Sequence, residues 1–126
     1  MKFMFAIYHD EKVLDAIPEK EMQALVDSAI EYAEELRRSG HYVVSNALQR
    51  TDTARTIRVR AGNVSTTAGP FAETKEQLGG FFVIEAKDMD EACAIAARFP
   101  PARVAVIEVR PVRELQHSRD RRGLPN

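Results

Sequence analysis

Between Gly69 and Phe82 the chain reads Gly-Pro-Phe-Ala-Glu-Thr-Lys-Glu-Gln-Leu-Gly-Gly-Phe-Phe, and this block carries the residues best suited to chemistry. Glu73 could give or take a proton, Lys75 could hold an anionic group, and Glu76 could help orient a polar ligand. Phe71 offers an apolar surface to the same ligand. Gly79 and Gly80 permit a close backbone approach that a side chain would block. The plainer alternative is that Thr74, Lys75 and Glu76 only solvate and cap a turn. His9 joins Glu73 and Lys75 as a catalytic candidate, because it follows the first strand and strand ends line clefts in α/β folds.

Weaker candidates lie outside the block. Glu85 and Glu108 each end an apolar strand, and two carboxylates in one cavity could divide acid and base roles; more often such charges mark a strand's exit to solvent. Arg58, Arg60, Arg103 and Arg110 could clasp an anion in bidentate fashion, or form scattered surface pairs. His41 follows a helix-ending glycine and reads as a surface residue; His117 lies near the C-terminus and carries no argument. The three histidines have no ligand spacing with other donors, so no metal site is expected. Gly79-Gly80 precedes a strand rather than a helix, so no phosphate cradle is expected and no cofactor is implied. Cys93 falls on the expected inner stripe of a helix, which predicts a buried, structural thiol.

These residues need positioning elements, and the pattern supplies them. Residues 3–8 are apolar at every position, so both faces of that strand expect cover. A turn through Asp10 to Ile17 leads to Pro18, well suited to open a helix over 18–39. Its apolar stripe is Met22, Leu25, Val26, Ala29, Ile30, Ala33 and Leu36, and Gly40 supplies its left-handed cap. Residues 41–49 resume a strand. Thr53–Arg60 and Val64–Thr67, joined by Ala61-Gly62-Asn63, form a two-stranded ribbon with a polar arginine face at the domain's edge. Strand 81–86 follows the glycine-rich block. Asp88 and Glu91 then open a second helix, with Met89, Ala92, Cys93, Ile95, Ala96 and Phe99 inward, until Pro100-Pro101 stops it. Strand 104–109 closes the domain at about residue 115, and residues 116–126 read as a mobile tail without periodicity.

The order β-α-β-ribbon-β-α-β predicts an α+β ferredoxin-like sandwich with an inserted β-ribbon. Two helices can shield only one face of a four-stranded sheet. Strands 3–8, 81–86 and 104–109 are apolar on both faces, so a second copy is expected against the other face, making a homodimer.

The block GPFAETKEQLGGFF, followed by VIEAKDMDEA and IEVRPVREL and preceded by MKFMFAIYHDE and EELRRSG, resembles the DGPF-type branch of the YCII-related family over residues 1–115. That resemblance implies a dimeric α/β-barrel arrangement and a small enzyme, or degenerate enzyme, acting on a polar small molecule in a dimer cavity. It equally implies an accessory or regulatory protein linked with extracytoplasmic-function sigma factor signalling, or a ligand-binding dimer. Ala68 stands where the motif's acid would be, and the segment 18–39 holds none of the histidine expected of a His–Asp dyad.

Composition narrows the classes further. The 126 residues are 44% hydrophobic and 29% charged, ordinary values for one soluble domain. A net charge of −1 gives no basis for nucleic-acid binding. A single cysteine fits a reducing, cytoplasmic setting, and no apolar run reaches the ~20 residues of a membrane span.

Overall fold

Strand β1, Lys2–His9, sits at the centre of the chain's main sheet, as its unbroken apolar run requires. The computed structural model describes residues 1–125; Asn126, the last residue of the expected tail, lies outside the described residues. A one-turn helix α1 (Glu11–Asp15) follows, capped by the Asp10 side chain, which accepts from the Lys12 amide at 2.9 Å. The sequence pattern gave only a turn here; the aspartate cap converts it to helix.

Helix α2, Glu19–Arg38, ends where Gly40 takes a φ of 80°, as its composition predicts. Strands β2 (Tyr42–Ala47), β3 (Arg55–Arg60), β4 (Asn63–Ala68), β5 (Gln77–Glu85) and β6 (Val106–Pro111) complete the β structure, with helix α3 (Met89–Ala97) before a short 3-10 segment over Pro100–Val104. The main sheet has the order β2-β5-β1-β6 with every pair antiparallel, which is the ferredoxin-like arrangement. β3 and β4 form a separate two-stranded ribbon, turned by Ala61 and Gly62 at φ 50° and 77°. Both positive φ values match the tight hairpin turn that suits twisted strands.

The core lies between the helices and one face of the sheet. Phe3, Phe5 and Ile7 of β1 and Phe82 and Ile84 of β5 meet Leu36 of α2 and Ile95 of α3 there. Each such side chain contributes ~1.5–3 kcal/mol of transfer free energy. Tyr32, absent from the apolar stripe read from sequence, is buried at its centre. Its ring stands edge-on to Phe82 and Phe99, with centroids 5.5 and 5.3 Å away. Its hydroxyl donates to the Ile95 carbonyl at 2.5 Å, tying α2 to α3. Burial pushes the Tyr32 phenol up to about 12.

Several expectations need correction. Cys93 is exposed, not buried: the core side of α3 carries Ala92, Ile95 and Ala96, and Cys93 points away from it. Met89 is likewise exposed, as are Val26 and Ile30 on α2. β5 begins at Gln77 rather than Phe81, because Gln77, Leu78 and Gly80 already pair with β1. β6 begins at Val106 because Pro100-Pro101 open a 3-10 segment rather than merely ending α3. Residues 116–121 form a short helix α4, in which the Gln116 side chain donates to Asp120.

The other face of the sheet exposes the apolar Val44, Leu78 and Val106, and on β6 it also carries the paired Glu108 and Arg110 beside Ala6 and Met4. Phe81 and Val83 on the same face are only partly covered.

Candidate functional site

The pairing of β1 with β5 slips by one residue between Ile7 and Tyr8: Ile7 faces Gly80 and Tyr8 faces Leu78, leaving Gly79 as the extra residue of a β-bulge. Bulges re-aim side chains, and this one seats a histidine. A Cβ on Gly79 would fall 1.7 Å from His9 Cε1, so the imidazole occupies the space that any other residue at 79 would fill. Gly80 is needed for a different reason. Its Cβ would meet the backbone carbonyl of Asn46 at 3.0 Å, where β2 closes on β5.

His9 stands at one end of a cavity of about 510 Å³ between α2 and the sheet. Leu25, Ala29 and Ala33 of α2 form one wall, Phe82 and Gly80 the floor, and the exposed Val26 and Ile30 the rim. On the α2 side the wall is kept low by the small Ala29 and Ala33, where bulkier residues would fill the space. At the far rim Arg37 lies 4.0 Å from the Tyr42 ring centroid and pairs with Glu34 at 3.3 Å.

Burial holds the His9 imidazole below its ordinary value, the Glu11 carboxylate opposes that shift, and the Arg50 charge adds to it. Glu11 is itself held low, first by the Thr51 hydroxyl and then by the Thr51 amide, which donate to it at 2.6 and 3.0 Å. Arg50 makes a bidentate pair with Asp15 at 2.6 and 3.0 Å. The segment after β2 is thereby latched to α1, next to His9. No hydrogen bond from another described residue reaches the His9 ring. A neutral imidazole keeps one donor and one acceptor nitrogen, so the ring has capacity for a ligand group.

The block from 69 to 82 is divided between two places. A second pocket of about 520 Å³ lies under its loop, between Phe71, Thr74 and Glu76 on one side and Tyr8, Leu78 and Thr51 on the other. Gly79 and Gly80 face the first cavity with His9. Glu73 and Lys75 are exposed and line neither. The loop holds itself: Gln77 donates to the Ala72 and Thr74 carbonyls at 2.7 and 3.1 Å, and the Thr74 hydroxyl donates to the Glu76 carbonyl at 2.6 Å. Phe71 is 78% exposed, with the Arg58 guanidinium 5.5 Å from its centroid.

The remaining candidates are dispersed. Glu85 pairs with the Met1 ammonium and Glu108 with Arg110. Arg103 pairs with Glu21, and Arg60 donates to the Val59 carbonyl. His41 Nδ1 is bonded to the Glu85 carbonyl at 2.8 Å, and His117 lies on α4. Among the described residues no group of His, Cys, Asp and Glu could hold a metal ion, and no helix is long and apolar enough to cross a membrane. Sequence reading missed Ala29, Ala33 and Phe82 as cavity walls. For Ala29 and Ala33 the only signal was small residues within an otherwise bulky stripe, and for Phe82 there was none.

Comparison with known proteins places these features in context. The model of the YCII-related domain matches residues 1–116. An uncharacterized protein of Rhizobium meliloti (strain 1021) is 32% identical over 114 residues, covering 89% of this chain and 92% of that relative. The solved 5-chloro-2-hydroxyhydroquinone dehydrochlorinase of Burkholderia phenoliruptrix AC1100, in complex with 2,5-dihydroxybenzoquinone, is similar at a TM-score of 0.47 and 19% identity, over 93% of this chain and 98% of that one.

Proposed function

The protein belongs to the YCII-related family, and we propose that it binds a small, largely apolar molecule carrying one hydrogen-bonding group in the cavity between α2 and the sheet. The observation that carries this reading is the half-buried imidazole of His9, its ring free of side-chain hydrogen bonds within the described residues and its pKa lowered by burial, on the wall of a largely apolar cavity of about 510 Å³. A concave apolar site with few polar groups is the usual form of a small-molecule site. Acid–base catalysis would need further groups converging on the ligand; of the polar side chains lining the cavity, Ser45 and Asn46 are neutral and Glu34 and Arg37 pair with each other, so binding is the favoured role over turnover. The working unit in this reading is a homodimer joined through the open sheet faces, whose exposed Val44, Leu78 and Val106 would otherwise face water.

A metabolite screen by thermal shift tests the proposal. A ligand that binds only the native state raises its melting temperature. Hits are expected to lose their effect in Ala29→Trp, which fills the cavity, and to weaken in His9→Phe, which keeps a ring but no hydrogen-bonding nitrogen. Hits unaffected by both changes but abolished by Thr74→Trp would place the site under the loop of Phe71 and Glu76 instead.

A further inference from the structure

Strands β3 and β4 make a ribbon with two unlike faces. Ile57, Val59 and Val64 lie on one face and are 64%, 55% and 69% exposed; Thr56, Arg58 and Ser65 lie on the other. The second face is engaged within the chain, since the Thr56 hydroxyl donates to the Gly69 carbonyl at 3.0 Å and Arg58 approaches Phe71. The first is a contiguous apolar strip on an arm tethered at its base, where the Gly69 amide donates to the Ala54 carbonyl at 2.8 Å. An isolated two-stranded ribbon is marginal in water, so a strip of this kind calls for a covering surface.

We infer that the ribbon is a dimerisation arm, its Ile57–Val59–Val64 face packing on a second copy of this chain. The inference rests on the sheet-to-sheet pairing proposed above and adds a second contact to it. Two observations select a second copy as the occupant. First, the arm rises beside the open sheet face: Ala54 and Pro70 at its base line the same pocket as Tyr8 and Leu78 of the sheet. Second, the areas fit. Four strands at ~4.8 Å spacing and about seven residues long give a flat footprint of ~450 Å². That falls short of the ~800 Å² per partner of an ordinary stable interface. A six-residue ribbon adds ~200 Å². In a twofold pair each copy both gives and receives an arm, which raises the footprint to about 850 Å².

The test compares dimer dissociation constants, by sedimentation equilibrium, for wild type, Val106→Asp and the triple variant Ile57→Thr, Val59→Thr, Val64→Thr. Threonine keeps the β-branched shape that strands favour, and all three side chains are exposed within the protomer, so the fold is retained. The triple variant is expected to raise the dissociation constant by about 100-fold. A wild-type dimer broken by Val106→Asp but unchanged in the triple variant would overturn the arm while leaving the sheet pairing intact. A wild type monomeric throughout would overturn both. Intermolecular nuclear Overhauser effects from the Ile57 methyls in a mixed-label dimer give a second reading in the unmutated protein, and their absence would likewise overturn the arm.

Discussion

Replacing Gly79 with alanine tests the construction of the site in one atom. The new Cβ would lie 1.7 Å from His9 Cε1. Carbon atoms settle at ~3.5–4.0 Å, so the imidazole must retreat by ~2 Å. Gly79 does not have positive φ, so its backbone accepts alanine without strain and the whole effect falls on the ring. An off-rotamer ring costs ~1 kcal/mol and lost packing a similar amount, giving an expected destabilisation of ~1–3 kcal/mol. In a His9→Ala background the obstacle is gone. There Gly79→Ala should be neutral or stabilising by ~0.4–1 kcal/mol, because alanine restricts the unfolded chain. Urea denaturation of the four proteins closes the double-mutant cycle, with an expected coupling of at least ~1.5 kcal/mol. Equal destabilisation by Gly79→Ala in both backgrounds would refute the reasoning that the glycine exists to seat the histidine.

Other outcomes follow from the same contacts. Gly80→Ala meets the Asn46 carbonyl at 3.0 Å, and since backbone cannot swing aside it should cost ~1–3 kcal/mol whatever occupies position 9; denaturant unfolding checks this. Tyr32→Phe removes the bond to the Ile95 carbonyl and should cost ~1–2 kcal/mol by the same assay. Because burial lowers the His9 value in the folded state, the unfolded chain takes up the proton first. Stability should therefore be full above 6.5 and fall as pH drops from there toward the lowered folded value. His9→Gln should remove that segment of slope from a pH series of unfolding curves. The separate loss from Glu11, also lowered, begins only below 4.5. Cys93, being exposed, should react with a thiol reagent in native buffer at a rate unchanged by mild denaturant.

Much of the fold was legible because local pattern and global packing agree. The run 3–8 marked a central strand, Gly40 the end of α2, and Ala61-Gly62 the ribbon turn. Helix rotation was less legible. On α3 alanines occupy several faces, so periodicity alone could not show that Cys93 points outward while Ala92 points in. On α2 the apolar stripe is wider than the buried face, and the excess, Val26 and Ile30, borders a cavity rather than the core. The start of β5 was hidden because a glycine pair reads as loop, whereas sheet pairing with β1 overrides local preference. Gly79, Gly80 and His9 were each picked out as site candidates. Their meeting depends on a bulge between residues 70 positions apart, and no local signal encodes that. The loop charges Glu73 and Lys75 were the most conspicuous residues in the sequence, and in the structure they border neither cavity.

The central claim is that a ligand reaches His9 in the cavity beneath α2, and histidine-detected NMR measures this directly. The three ring systems, His9, His41 and His117, give three sets of ¹⁵N signals, and of the three only His9 lines the cavity. On adding a ligand found by thermal shift, the His9 nitrogens should move in a saturable way and their titration midpoint should shift, while those of His41 and His117 stay in place. A ligand that binds with the His9 signals unmoved would contradict the account.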